Sequence, residues 1–138
     1  MTEEVPVPGT VQPNRWLVFT AAVAILATAA IHGMGYASVS SAIVAVGALP
    51  GLVAVVRALW LMYSAHLVVL AIVVCLASRV AGGRPVILAC ALIPAADTAL
   101  LLRFVGFFVG TYALAAATVL LVLGGLLPPQ HTGSSRDT

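Results

Sequence analysis

Three ionisable side chains stand inside apolar runs of this chain: His32, His66 and Asp97. His66 sits near the middle of "RALWLMYSAHLVVLAIVVCLASR", residues 57–79, an apolar stretch bounded by arginines. Histidine is the side chain whose ordinary titration lies near neutral pH, which suits it to general acid–base work. A carboxylate beside it orients the ring and stabilises its cationic form. The expected catalytic set is therefore His66 and Asp97, with His32 as a third member. Trp60 and Tyr63 precede His66 at intervals of three and share a broad helix face with it. They are the substrate-binding candidates together with Arg57, which points away from His66 on the same helix. Such equipment fits redox-neutral rearrangement, isomerisation, cyclisation or hydrolysis of a lipophilic small molecule, as in specialised metabolism.

Each residue also has a plainer reading. His32 can cap the first helix or sit in the membrane interface. A neutral His66 can bond a carbonyl of a neighbouring helix and act as interhelical glue. Asp97 can pair with Arg57 or Arg103, or bond, protonated, to backbone freed by Pro94. The aromatic residues can serve as packing and as interface anchors. Asp97 resists the plain reading best, because a carboxyl at membrane depth costs several kcal/mol unless it is paired or used.

The elements that must position these groups follow from composition. The 138 residues are 62% hydrophobic and 7% charged, with a mean hydropathy of +1.17. A soluble domain carries about a quarter charged residues, so this chain lacks the polar surface to face water all round. All six basic residues are arginine, and the richness in Ala, Val, Leu and Gly suggests a GC-rich bacterial genome. A net charge of +2 gives no footprint for nucleic acid.

The fold class expected is an all-α integral membrane four-helix bundle. Residues 1–14 read as a disordered tail; Glu3 and Glu4 argue against a cleaved signal peptide. Residues 15–127 form the transmembrane domain, and 128–138, with His131, a second disordered tail. The first helix runs from Arg15 to Tyr36, opened by the interfacial anchor Trp16. A Gly/Ser passage, "GMGYASVSS", follows it. "AIVAVGALPG" is too short to span a bilayer and reads as an interfacial or re-entrant piece between the first and second helices. The second helix is the 57–79 stretch, and "VAGGR" turns the chain into the third, with Pro85 in its first turn. The third ends near Phe104 and the fourth runs from Val105 to Leu127. "GFFVG", Gly106 to Gly110, predicts a close helix contact, within the chain or between copies, since glycines four apart share a face.

Four spans put both termini and the second loop on one side. That side holds Arg15, Arg79, Arg84 and Arg136, against Arg57 and Arg103 opposite. The positive-inside rule then places both termini in the cytoplasm, in the inner membrane. At about 1.5 Å per residue, His66 lies roughly 14 Å from Arg57, Asp97 about 9 Å from Arg103 and His32 roughly 25 Å from Arg15. All three fall in the outer half of the bilayer, and a small polar pocket open to the outer side is expected.

Other chemistry finds little support. The sequence has no phosphate loop, dinucleotide glycine fingerprint or nucleophile elbow. The two histidines and the aspartate come from three helices without a local metal signature, so neither metal nor cofactor is assigned. Cys75 and Cys90 make no Cys-x-x-Cys pair on a side that is reducing.

"VVRALW" at the entry to the second helix, "LIPAADTALLLRFVG" in the third and a Gly-rich fourth helix resemble the small bacterial DoxX-like membrane proteins over residues 15–127. The resemblance implies a compact four-helix bundle with a redox or accessory role, and it assigns no residue. It keeps open a non-catalytic accessory subunit of a membrane redox or biosynthetic complex. A small dimeric transporter is the third alternative. Four-helix multidrug exporters are similar in size, but they use a buried acid in the first helix, and this first helix has none. The expected partners are the lipid bilayer, a lipophilic substrate, and a second copy or a partner subunit.

Overall fold

The computed structural model describes residues 12–128. Of the expected tails, 1–14 and 128–138, residues 1–11 and 129–138, His131 included, lie outside the described residues. Five helices follow in order: α1 (Arg15–Met34), α2 (Tyr36–Ala45), α3 (Pro50–Ala77), α4 (Arg84–Phe104) and α5 (Val109–Leu126). Helices α1 and α2 run almost without interruption, and with α3, α4 and α5 they make four stretches long and apolar enough to cross a membrane. Their mean hydropathies are 1.9–2.3. The chain is an all-α, multi-pass membrane protein built as a four-helix bundle.

Local chemistry sets the boundaries. Asn14 caps α1, its side-chain oxygen accepting from the Leu17 amide, while its own amide donates to the Gly124 carbonyl of α5 at 2.8 Å. The start of α1 is thereby pinned to the end of α5. The Gly/Ser passage that follows the expected first helix is itself helical except at Gly35, and α2 runs on from α1 in one apolar stretch. Gly35 keeps right-handed helical angles, and the Ser41 hydroxyl donates back to the Ala37 and Ser38 carbonyls. A serine satisfied in this way is tolerated inside a helix. Pro50, expected to cut the interfacial piece, opens α3 at its first turn, where its missing amide costs nothing. The second span is therefore two turns longer than its arginine boundary implies.

Helix α1 packs along α3 and α5, and α5 along α4, whereas α3 and α4 meet sparsely. The core is Val18, Ala21 and Ile25 of α1, Leu67, Leu70 and Val74 of α3, Ile87 and Ala91 of α4, and Leu114, Ala117 and Leu121 of α5. These residues all lie toward the end of the bundle that holds the start of α1 and the α3–α4 turn. Outward-facing side chains are apolar too: Leu92 is 69% exposed and Val69 59%. Such faces are stable against lipid tails and would be costly in water.

The close helix approach is not where the glycine spacing placed it. Gly106 lies in the turn between α4 and α5 with φ of +94°, and a methyl group there would meet nothing within 4 Å. Gly110 stands in the first turn of α5, where a Cβ would fall 2.6 Å from the ring of Phe108, the residue that caps that helix. Gly106 thus shapes the turn, and the atoms nearest Gly110 belong to Phe108 rather than to another helix. The approach is at Gly124, where a Cβ would fall 2.9 Å from the Val18 side chain and 3.2 Å from the Val18 amide nitrogen. Gly124→Leu must drive α5 from α1, at the ~1–3 kcal/mol typical of overpacking. It is expected to lower the melting temperature in detergent clearly more than Gly110→Leu does. Equal melting of the two variants would contradict this packing.

Candidate active site

His66 lies eleven residues before the end of α3 at Ala77, and Asp97 thirteen after the start of α4 at Arg84. Counted from the turn that joins the helices, both stand at roughly 16–20 Å. Equal depth on adjoining helices is why they meet: His66 Nε2 and Asp97 Oδ2 are 3.2 Å apart. It is the one contact between a basic side chain and a carboxylate among the described residues, and it bridges two helices that otherwise pack together sparsely. The Asp97 side chain is 16% exposed and that of His66 35%. Neither Arg57 nor Arg103 takes up Asp97: Arg57 donates to Ser40 Oγ of α2 at 3.2 Å, and the Arg103 guanidinium lies over the Phe104 ring. The carbonyls near Pro94 are not its partner either; Thr98 donates to the Pro94 carbonyl at 2.7 Å.

In the tautomer that carries its proton on Nε2, His66 donates to Asp97 Oδ2 and keeps the lone pair on Nδ1. This is the arrangement by which a carboxylate fixes an imidazole in one tautomer and supports its charged form. A pair of this kind can take a proton from one atom of a bound molecule and return it to another.

Toward the far end of α3, three aromatic rings continue from the pair in sequence. The Tyr63 ring meets His66 edge-on, with centroids 4.8 Å apart and planes at 80°. His32 of α1 packs on Tyr63 at 4.7 Å and stacks on Trp60 at 3.9 Å with planes 14° apart. The Trp60 indole N–H donates to the His32 carbonyl at 2.8 Å, so one residue holds both the ring and the backbone of His32. Trp60 fits because Gly35 has no side chain; a Cβ there would stand 3.0 Å from the indole. The structure brings His66, Asp97, His32, Trp60 and Tyr63 together. Arg57 stands apart from the group on the α2 side, exposed.

A cavity of about 500 Å³ opens beside the rings, in the half of the bundle that the core does not fill. His32, Trp60 and Tyr63 form part of its wall, with Thr28 and Ile31 of α1, Val56 and Leu59 of α3, and the ends of α4 and α5 near their turn. His66 and Asp97 do not line it; Tyr63, which both lines the cavity and touches His66, stands between. The wall residues Leu101, Val105, Phe108 and Val109 were not singled out from the sequence, since nothing in an apolar run distinguishes a cavity lining from a lipid-facing side chain. Among the described residues no cluster of three His, Cys, Asp or Glu side chains is placed to hold a metal. Cys75 and Cys90 are free thiols.

No protein-family model, curated protein or solved structure matches this chain.

Proposed function

We propose that the chain is an intramembrane acid–base enzyme in which His66 exchanges a proton with a lipophilic small molecule and Asp97 holds its imidazole. The observation that carries this reading is the 3.2 Å contact between His66 and Asp97 within two apolar spans. A pair that only stabilised the bundle would be an expensive choice, because interhelical polar contacts contribute about 0.6 kcal/mol on average. Ionisable groups at this depth mark functional sites far more often than they mark packing. The reaction class is one in which the proton leaves one atom of the substrate and returns to another, as in an isomerisation or cyclisation, or activates water for hydrolysis.

The reading is tested in cells. Cells lacking the protein are expected to accumulate a lipophilic species that the wild-type gene removes and a His66→Gln gene does not, at equal amounts of protein in the membrane. Identical lipid extracts from cells with and without the protein would contradict it. The accessory role implied by the DoxX-like resemblance has only the four-span plan in its favour, and a dimeric transporter has no acid in the first span to work with.

The orientation that accompanies this reading puts both termini and the α3–α4 turn in the cytoplasm, on the four-to-two arginine bias. Reporter fusions at Gly82 and after Leu127 are expected to give a cytoplasmic signal. A periplasmic signal at Gly82 would overturn the orientation.

A further inference from the structure

His66 and Asp97 stand deep within apolar spans, yet their side chains are 35% and 16% exposed. The residues one turn away on each helix show where that exposure opens. On one flank of His66, Leu70 is buried and Tyr63 packs against the core; on the other flank Met62 and Val69 are exposed. Asp97 is placed in the same way on α4. Pro94 is buried and Leu101 packs against the core on its inner flank, while Ile93 and Leu100 are exposed on its outer one. At 3.6 residues per turn each flank lies roughly 40–60° around the helix from the ionisable side chain. Helices α3 and α4 run antiparallel across the short connection between Ala77 and Arg84, so the two exposed flanks fall on the same side of the seam between them.

Little besides the pair closes this seam, since the two helices otherwise pack sparsely. The cavity beside Tyr63 gives no second approach, because neither His66 nor Asp97 lines it. Arg57 bonds Ser40 and Arg103 lies over the Phe104 ring, so neither brings charge to the seam. Met62, Val69, Ile93 and Leu100 are apolar side chains facing lipid tails. A charged molecule would have to cross hydrocarbon to reach the pair, at a cost of several kcal/mol. An uncharged molecule already dissolved in the bilayer meets no such barrier.

We propose that the substrate reaches His66 and Asp97 sideways from the bilayer, through the seam between α3 and α4, and is therefore an uncharged molecule dissolved in the hydrocarbon region. The proposal rests on the acid–base reading of the pair and names its substrate class and route.

The test reads access to Asp97 by chemical labelling of the full chain in phosphatidylcholine vesicles at mildly acidic pH. Dicyclohexylcarbodiimide partitions into lipid, whereas a carbodiimide carrying a cationic amine stays in water; each adds whole to a protonated carboxyl and is located by peptide mass spectrometry. The lipophilic reagent is expected to modify Asp97 and the water-soluble one to leave it unmodified. Ile93→Trp, at the seam, should slow that labelling, and Val109→Trp, in the cavity wall, should not. Both replaced side chains are exposed, so a larger one does not disturb the core. Labelling reads access and not turnover, so a labelled Asp97 in a protein with no turnover would count against the acid–base reading alone. Equal labelling by the water-soluble reagent would show that the pair opens to water. Slowing by Val109→Trp instead of Ile93→Trp would put the route through the cavity. No labelling by either reagent, in the wild type and in His66→Gln alike, would show the seam covered by a second copy or by packing. Each of these three results would overturn the proposal.

Discussion

Asp97→Asn is expected to leave the protein folded and inserted while lowering turnover by about 10²–10⁴-fold. Asparagine has the shape of aspartate and still offers a side-chain oxygen to His66 Nε2–H. The interhelical bond, seen at 3.2 Å in the structure, therefore survives the exchange. Its removal altogether would cost about 0.6–1.7 kcal/mol, so a conservative swap should cost less. What the variant loses is the negative charge that stabilises an imidazolium and fixes the productive tautomer. In a Ser-His-Asp triad the same exchange lowers turnover about 10⁴-fold. Membrane abundance and melting temperature near wild type, together with this loss of turnover, would separate a chemical role from a structural one. Loss of abundance in proportion to activity would assign Asp97 to packing.

Gly83→Ala is expected to have the largest effect on stability. A Cβ at Gly83 would stand 1.8 Å from the Ala77 carbonyl oxygen and 2.7 Å from its carbon, both backbone atoms that cannot turn aside. The turn between α3 and α4 must open to admit it, at or above the upper end of the ~1–3 kcal/mol typical of overpacking. Opening that turn also changes the relative depth of His66 and Asp97, because both are placed by counting from it. Gly82 beside it provides the comparison. It has φ of +78° but open space around it, so Gly82→Ala should cost only the ~1–2 kcal/mol of a left-handed backbone. Thermal unfolding in detergent checks the order. Gly83→Ala melting at or above Gly82→Ala would show that the close approach is absent.

Much of the bundle was legible because the bilayer leaves few choices. Runs of about 20 apolar residues, bounded by arginine, proline and glycine, read directly as spans. The triplet spacing of Trp60, Tyr63 and His66 gave one helix face, and the structure links them in a series, Trp60 to Tyr63 through the His32 ring and Tyr63 edge-on to His66. Pairing His66 with Asp97 was less accessible, since it depends on the length of the α3–α4 turn and on which helices adjoin. "GMGYASVSS" was assigned to no element, and it is helical because serines that bond their own helix carbonyls fit a helix. "GFFVG" has the spacing of a helix contact, but within the chain Gly106, at φ of +94°, serves the turn between α4 and α5. The cavity was invisible from sequence because its wall is as apolar as the lipid-facing surface, and only the arrangement of helices tells the two apart.

The central claim is that His66 and Asp97 act as one chemical unit. A double-mutant cycle on turnover tests it most directly, using His66→Gln, Asp97→Asn and the two combined, each at matched abundance in the membrane. His66→Gln keeps a donor for Asp97, so no buried charge is left bare. Residues that act as a unit are strongly non-additive. The account predicts that the double variant is no slower than His66→Gln alone. Losses that multiply, or full turnover in a well-folded His66→Gln protein, would contradict it.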